Sequence, residues 1–331
     1  MFVLFENNLS QNKININKNL VSNMEHIEFD YGKDLKGIYF LNEISKEYIE
    51  NNLQGIHRVF EINSSYKFTS REFKKEDTVV NIGNIKIGGN NFQKIAGPCS
   101  FENEEMFRNI GSNLKTCGVN ILRGGAFKPR TSPYYFQGIG EEALISMSKI
   151  SKELDLKIVS EVTSVEYLDL FNEYADIIQV GTRNMQNYEL LKALGKVNKP
   201  ILLKRGLSAT IEEFLLSAEY IMSNGNPNII LCERGIRTFE KITRNTLDIS
   251  AVPVIKKLSH LPIIIDPSHA SGNYQYVEPL SLCGVSAGCD GVMIEVHNDP
   301  ENALSDGYQS ITINRFKETS KKIDKIREVL F

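Results

Sequence analysis

From residue 92 onward the chain repeats one pattern eight times, a short apolar run followed by an amphipathic stretch. The runs are FQKIAGPC (92–99), NILRGGA (120–126), KIVSEV (157–162), IIQVG (177–181), PILLKRG (200–206), NIILCERG (228–235), PIIIDPSH (262–269) and GVMIEVH (291–297). Their cores are β-branched or Leu-rich and nearly continuous, as in strands buried on both faces. Between them lie helical patterns such as IEEFLLSAEYIMSNG, with apolar residues three and four apart and a closing Gly. Eight β-then-α units over residues 92–331 fit an α/β fold of the TIM (β/α)8 barrel type, which usually needs about 250 residues. A doubly wound sheet would carry a Gly-rich phosphate turn after its first strand, and none is present.

The segment ahead of the repeat divides in two. TVVNIGNIKIGG (78–89) reads as a hairpin turning at Gly83-Asn84, placed to close the N-terminal end of a barrel. Further upstream, the runs FVLF, HIEFDY, GIYFL and IHRVFEI, with helical segments near 15–24 and 45–53, predict a small α+β module of ferredoxin-like βαββαβ order. The Asn-rich stretch 7–19 resists placement. The resulting division is a module over 1–65, a linker and hairpin over 66–91, and a barrel over 92–331.

A net charge of −3 and a pI near 6.1 offer no broad basic field for nucleic acid or an anionic membrane. Any anion site must therefore be local. The start, MFVLFENNLSQNK, lacks the basic n-region of a signal peptide, and no run reaches the ~20 apolar residues of a spanning helix. Five cysteines, 99, 117, 232, 283 and 289, have irregular spacing and no CxxC, which fits reduced thiols and a cytoplasmic protein.

In a barrel of this type the active site lies at the C-terminal ends of the strands. All eight runs close on polar chemistry: Cys99; Arg123; Glu161; Arg183; Lys204 with Arg205; Glu233 with Arg234; Asp266 with His269; Glu295 with His297. One charged strand end is uninformative, because solvent begins there, but eight of them outline a funnel. LRGGAFKPRTSP (122–133) adds Lys128 and Arg130 around a Gly pair and between prolines, which holds its cations in place. Six cations, Arg123, Lys128, Arg130, Arg183, Lys204 and Arg234, exceed what one phosphate requires. Cys99, His269, Glu295 and Asp306 form a mixed donor set suited to a divalent metal such as iron, zinc, manganese or cobalt. Taken singly each has a plainer reading: a packed Cys, a capping His, an Asp-Gly turn at Asp306. His26, His57 and His260 lie away from strand ends and read as surface or packing residues, and His297 shares a strand face with Glu295.

Together AGPCS (96–100), LRGGAFKPRTSP, QVGTRNMQN (179–187), LLKRG (202–206), CERGIRTF (232–239), IDPSHASG (265–272) and MIEVH (293–297) closely resemble the 3-deoxy-D-arabino-heptulosonate 7-phosphate (DAHP) synthases, which open the shikimate pathway to the aromatic amino acids. The likeness spans about residues 70–330, to the branch that shares its barrel with 3-deoxy-octulosonate 8-phosphate synthases. The octulosonate enzymes use a five-carbon sugar phosphate and usually carry a KANRS-like sequence where this chain has KPRT.

The resemblance implies a metal-dependent condensation of phosphoenolpyruvate with erythrose 4-phosphate. It assigns Cys99, His269, Glu295 and Asp306 to one divalent metal ion (Mn, Fe, Zn or Co), and Arg123, Lys128, Arg183, Lys204 and Arg234 to phosphoenolpyruvate. Arg130 and Thr131 fall to the phosphate of erythrose 4-phosphate. Lys128 is the expected proton donor to the nascent alkoxide, with Glu161 and Asp266 positioning water or a hydroxyl. The resemblance further implies inhibition by Tyr or Phe through the front module and assembly as a homotetramer or homodimer. The alternatives are an octulosonate synthase, an aldolase with Lys204 as Schiff base, and a non-catalytic anion-binding barrel.

Overall fold

The computed structural model describes residues 1–32 and 35–331; residues 33 and 34, inside the expected front module, lie outside the described residues. The front module runs β1 (Phe2–Phe5), α1 (Gln11–Val21), β2 (His26–Asp30), β3 (Lys36–Phe40), α2 (Lys46–Asn52) and β4 (Ile56–Phe60). Its strands form an antiparallel sheet in the order β2-β3-β1-β4, consistent with a ferredoxin-like module. The first helix covers residues 11–21, where the sequence suggested 15–24. Ser10 caps it, and the chain turns at Val21–Met24. The asparagines that mask this helix have a use: Asn17 is buried and its amide pairs with both the N–H and C=O of Gln54 at 2.9 Å.

One face of the sheet packs Val3, Ile38 and Phe40 against Val21, Ile49 and Leu53 of the helical side. Phe2, Phe29 and Tyr39 cover the other face, in ring contact with Phe68 and Phe73 of the linker.

The hairpin forms as β5 (Val80–Ile82) and β6 (Ile85–Ile87). The barrel strands are β7 (Gln93–Gly97), β8 (Ile121–Arg123), β9 (Lys157–Val162), β10 (Ile177–Val180), β11 (Ile201–Lys204), β12 (Ile229–Glu233), β13 (Ile263–Ile265) and β14 (Gly291–His297). They pair in parallel in chain order, and β14 returns to β7 with five registered pairs from Gly291↔Gln93 to Glu295↔Gly97. The sheet is closed, so the (β/α)8 expectation holds. Ile95, Ile121, Val159, Ile177, Leu202, Ile230, Ile264 and Met293 fill the interior, and Val80, Ile82 and Ile87 of the hairpin plug it from below. That apolar filling closes the base, so the polar strand ends lie at the opposite end of the barrel.

The helices of the barrel are α3 (Glu104–Lys115), α4 (Glu141–Glu153), α5 (Leu168–Tyr174), α6 (Tyr188–Leu194), α7 (Ile211–Ser223), α8 (Ala251–Leu258), the short α9 (Pro267–Ser271), α10 (Tyr274–Ser286) and α11 (Ile313–Leu330). A capping box between Thr210 and Glu213 starts α7. Glu219 on that helix docks the linker: its carboxylate accepts the N–H groups of Lys67, Phe68 and Thr69 at 2.8 to 2.9 Å. Among the described residues no helix is long and apolar enough to cross a membrane.

His260 joins linker to barrel base. Its Nε2–H donates to the Phe68 carbonyl (2.8 Å) and its Nδ1 accepts from the Thr78 hydroxyl (2.7 Å), so the neutral ring is fully bonded. Burial, with Lys74 and Arg71 nearby, pushes its pKa from 6.5 down to about 4. A lowered folded-state pKa means that the unfolded chain takes up the proton first. Stability is then complete above about pH 6.5 and falls by up to about 3 kcal/mol as pH drops toward 4. Urea denaturation near pH 7.5 and near pH 4.5 should show a smaller acid loss in His260→Gln than in the native chain; parallel losses would contradict this assignment.

Candidate active site

The C-terminal strand ends surround a cavity of about 280 Å³. Lys128, Arg130, Arg183, Lys204 and Arg234 line it, with Thr131, Glu161, His269 and Asp306. Arg123, Cys99, Asp266 and Glu295 are buried around its base. The stretch 122–133 is folded against the first strand end: Gly125 N–H donates to the Cys99 carbonyl and Phe101 N–H to the Gly125 carbonyl, both at 3.0 Å. That pairing carries Lys128 over Cys99, where its Nζ donates to the carbonyl (3.0 Å) and to Sγ (3.1 Å).

Ligand atoms of Cys99, Glu295 and Asp306 all lie within 4.8 Å of one another. Cys99 Sγ donates to Asp306 Oδ2 at 3.3 Å and lies 3.0 Å from Ser305 Oγ. His269 approaches from one side, its Nε2 3.3 Å from Glu295 Oε1. Asp266 sets that orientation. As N-cap of α9 it accepts the His269 N–H (3.0 Å) while its Oδ2 accepts from His269 Nδ1 (2.7 Å) and Lys204 Nζ (2.5 Å). With Nδ1–H committed to a carboxylate, Nε2 carries the lone pair, as in a metal-ligating histidine. Asp306 has φ 53, a left-handed conformation that Asp tolerates. Thiol and two carboxylates thus gather as a donor set of the kind a divalent cation of intermediate softness takes, with the His269 imidazole beside the cluster rather than within it.

Electrostatics favour ionised carboxylates at Glu295 and Asp266 and an un-ionised thiol at Cys99. Burial opposes the charge on Glu295, yet His269 and Arg123 hold its carboxyl down at about 2. Arg123 Nη1 donates to Glu295 Oε1 at 2.5 Å, while its buried Nε has no partner among the described residues. Burial opposes the charge on Asp266 too, and His269 and Lys204 keep it well below the usual range. Burial lowers the His269 pKa, while Asp266 and Glu295 beside it pull the other way. The Cys99 thiol is pushed up to about 11 by burial, with Glu295 and Asp306 adding to it against Lys128. A cation beside it would reverse that sign.

The remaining cations face the cavity less encumbered. Arg234 is 5% exposed and, among the described residues, its guanidinium bonds the Gly235 carbonyl alone, at 3.5 Å. Arg183 reaches the Pro129 carbonyl (3.2 Å) and Thr131 Oγ1 (3.4 Å). Arg130 bonds Ser305 Oγ and the Phe136 carbonyl and stands 3.6 Å from Asp306. Glu161 folds over Gly181, where a Cβ would lie 1.9 Å from its Oε1, so any side chain there would push the Glu161 carboxylate aside.

Sequence reasoning missed several residues at the mouth. Arg237 and Arg244 line the same cavity. Gln309 is buried and donates to Glu295 Oε2 at 2.6 Å, with its carbonyl taken by Arg244 Nη1 at 3.0 Å. Both arginines stand in CERGIRTFEKITRN, beyond the strand end where that reading stopped. Conversely, Arg205 and Glu233 are strand-end charges that do not face the cavity.

Fold and site define a (β/α)8 enzyme whose mouth combines a ring of cationic side chains with a thiol-containing cluster of metal-ligand type. The DAHP synthetase I family model matches residues 68–330, and the chain belongs to this family. It is 52% identical over 279 residues to the phospho-2-dehydro-3-deoxyheptonate aldolase of Thermotoga maritima, covering 84% of this chain and 82% of that one. A 2-dehydro-3-deoxyphosphooctonate aldolase of Geobacter sulfurreducens is 30% identical over 270 residues, 76% of this chain and 98% of its own. The crystal structure of the Thermotoga maritima DAHP synthase superposes with a TM-score of 0.80 at 45% identity, covering 99% of this chain and 97% of that chain. A truncated form of the synthase from that organism covers 81% of this chain and 98% of its own, with a TM-score of 0.76 at 50% identity.

Proposed function

We propose that this chain condenses phosphoenolpyruvate with D-erythrose 4-phosphate and water to give DAHP and inorganic phosphate. The observation that carries this reading is the juxtaposition of seven cavity-lining cations, Lys128, Arg130, Arg183, Lys204, Arg234, Arg237 and Arg244, with the Cys99, Glu295, Asp306 cluster at its base. Two anionic substrates repel one another, and this cation ring offsets the repulsion while fixing their orientation.

Arg123, Lys128, Arg183, Lys204 and Arg234 surround the enol phosphate, and the unpartnered Nε of Arg123 is available to it. Arg130 and Thr131 take the sugar phosphate. Cys99, His269, Glu295 and Asp306 would hold a divalent metal ion, Mn, Fe, Zn or Co, which when bound polarises the aldehyde oxygen as a Lewis acid. Carbon 3 of the enol phosphate attacks the aldehyde, water adds at carbon 2, and phosphate leaves by C–O cleavage. Lys128, over the thiol and beside both anion sites, delivers a proton to the nascent alkoxide. Glu161, whose carboxylate has, among the described residues, Gln179 alone as side-chain partner at 3.3 Å, orients the water. Asp266 acts through others: both its oxygens are engaged, and it fixes His269 and Lys204.

Residues 1–65 form a regulatory module. A groove of about 490 Å³ between its sheet and α1, lined by Phe5, Ile14, Lys18, Phe29 and Gly37, is sized for an amino acid such as Tyr or Phe. Homodimeric or homotetrameric assembly would cover exposed side chains such as Phe239 and Tyr134. KPRT at 128–131 favours the four-carbon over the five-carbon sugar. Comparing erythrose 4-phosphate with arabinose 5-phosphate as co-substrate should give turnover with the first; preference for the second would make the protein an octulosonate synthase.

A further inference from the structure

Arg205 and Glu233 belong to the strand-end motifs KRG and ERG, yet neither takes part in the reaction derived above. The cavity receives Lys204 and Arg234, while their chain neighbours point to the other side of the sheet. There Arg205 and Glu233 are 4% and 0% exposed. Arg205 Nη1 donates to Glu233 Oε2 (2.9 Å) and to Asp248 Oδ2 (2.8 Å), and its Nε donates to the Ala209 carbonyl (3.0 Å). Glu233 Oε1 accepts the Gly235 N–H at 2.6 Å and the Asp248 N–H at 3.5 Å. The ion pair thus bridges the ends of β11 and β12 directly behind the two cations.

Little else aims Arg234. Its guanidinium has no carboxylate partner among the described residues, so its direction is set by its backbone, between Glu233 and a Gly235 held at φ 90. Glu233 grips that backbone through the Gly235 amide. Lys204, by contrast, is directed by Asp266 at 2.5 Å. The pair also settles local charge: Arg205 is balanced from behind by Glu233 and Asp248, which leaves Arg234 for an incoming anion.

We propose that Arg205 and Glu233 are positioning residues whose buried ion pair sets the spacing and aim of Lys204 and Arg234 on one anionic group. This rests on the reading that those two cations hold phosphoenolpyruvate. A buried ion pair kept for stability can often be replaced by apolar residues of similar volume without loss, whereas one kept for aim cannot.

The full-length double variant R205M/E233M separates the two roles. It should remain folded by circular dichroism, bind phosphoenolpyruvate about tenfold or more weakly in calorimetry, and keep KM for erythrose 4-phosphate within about twofold. Phosphoenolpyruvate affinity within about twofold of the native chain, or equal losses for both substrates, overturns the proposal. Should the double variant not fold, E233Q keeps an acceptor for Gly235 but loses the charge. It is expected to weaken phosphoenolpyruvate about threefold or more, and unchanged binding would overturn the proposal. R234A distinguishes the levels. Native-like phosphoenolpyruvate binding in R234A removes the underlying assignment; weak binding there with native-like binding in R205M/E233M removes only the present inference.

Discussion

Cys99→Ala is expected to lower turnover about a thousandfold while leaving the fold intact, because removing a ligand from a Lewis-acid site forfeits several kcal/mol of transition-state stabilisation. Cys99 is nearly fully buried and its Sγ lies within hydrogen-bond reach of Lys128, Ser305 and Asp306. Substitution therefore also removes one of the two contacts of Lys128, leaving its bond to the residue 99 carbonyl. Two readouts separate these effects. Loss of the metal group should appear as weaker divalent-ion binding in a competition titration, and loss of the lysine's contact with the thiol as a shifted pH profile. A variant that keeps both native ion affinity and native turnover would remove the metal assignment. Cys99→Ser retains a hydrogen-bonding group of similar size and should restore the contact with Lys128 but not the affinity for soft divalent ions.

Arg130→Ala is expected to raise the Michaelis constant for erythrose 4-phosphate about 10- to 100-fold, the worth of one or two charge-assisted hydrogen bonds, with phosphoenolpyruvate little affected. The division follows from placement. Arg130 is held by Ser305, Phe136 and Asp306, none of which contacts Lys204 or Arg234 among the described residues. Pro129 lies between Lys128, over Cys99, and Arg130, and its carbonyl is held by Arg183. Steady-state kinetics with each substrate varied in turn check this directly. An equal rise for both constants would mean that the two anions share one cation set.

The barrel was legible because its strands are buried on both faces and so stay apolar from end to end: all seven residues of GVMIEVH are buried. The polar residues then marked the strand ends. What the sequence could not reveal is direction. A one-residue step reverses the side of the sheet, so Lys204 and Arg205 look alike in sequence but face opposite ways. The loops are equally opaque: Arg237, Arg244 and Gln309 reach the site only through tertiary packing of segments with no periodicity. The Asn-rich first helix was misplaced for a related reason. Its propensity is poor, and it is stabilised by contacts such as Asn17 with Gln54, from residues far apart in the chain.

The central claim is that one mouth joins an enol phosphate to a sugar aldehyde beside a bound divalent ion. Its most direct test is the release of inorganic phosphate from phosphoenolpyruvate by the full chain, with and without erythrose 4-phosphate, before and after removal of divalent ions by a chelator. Release should require the sugar phosphate, cease on chelation and return when Mn or Zn is restored. Release that persists after chelation, or borohydride trapping of a carbonyl substrate on Lys204, would contradict the account.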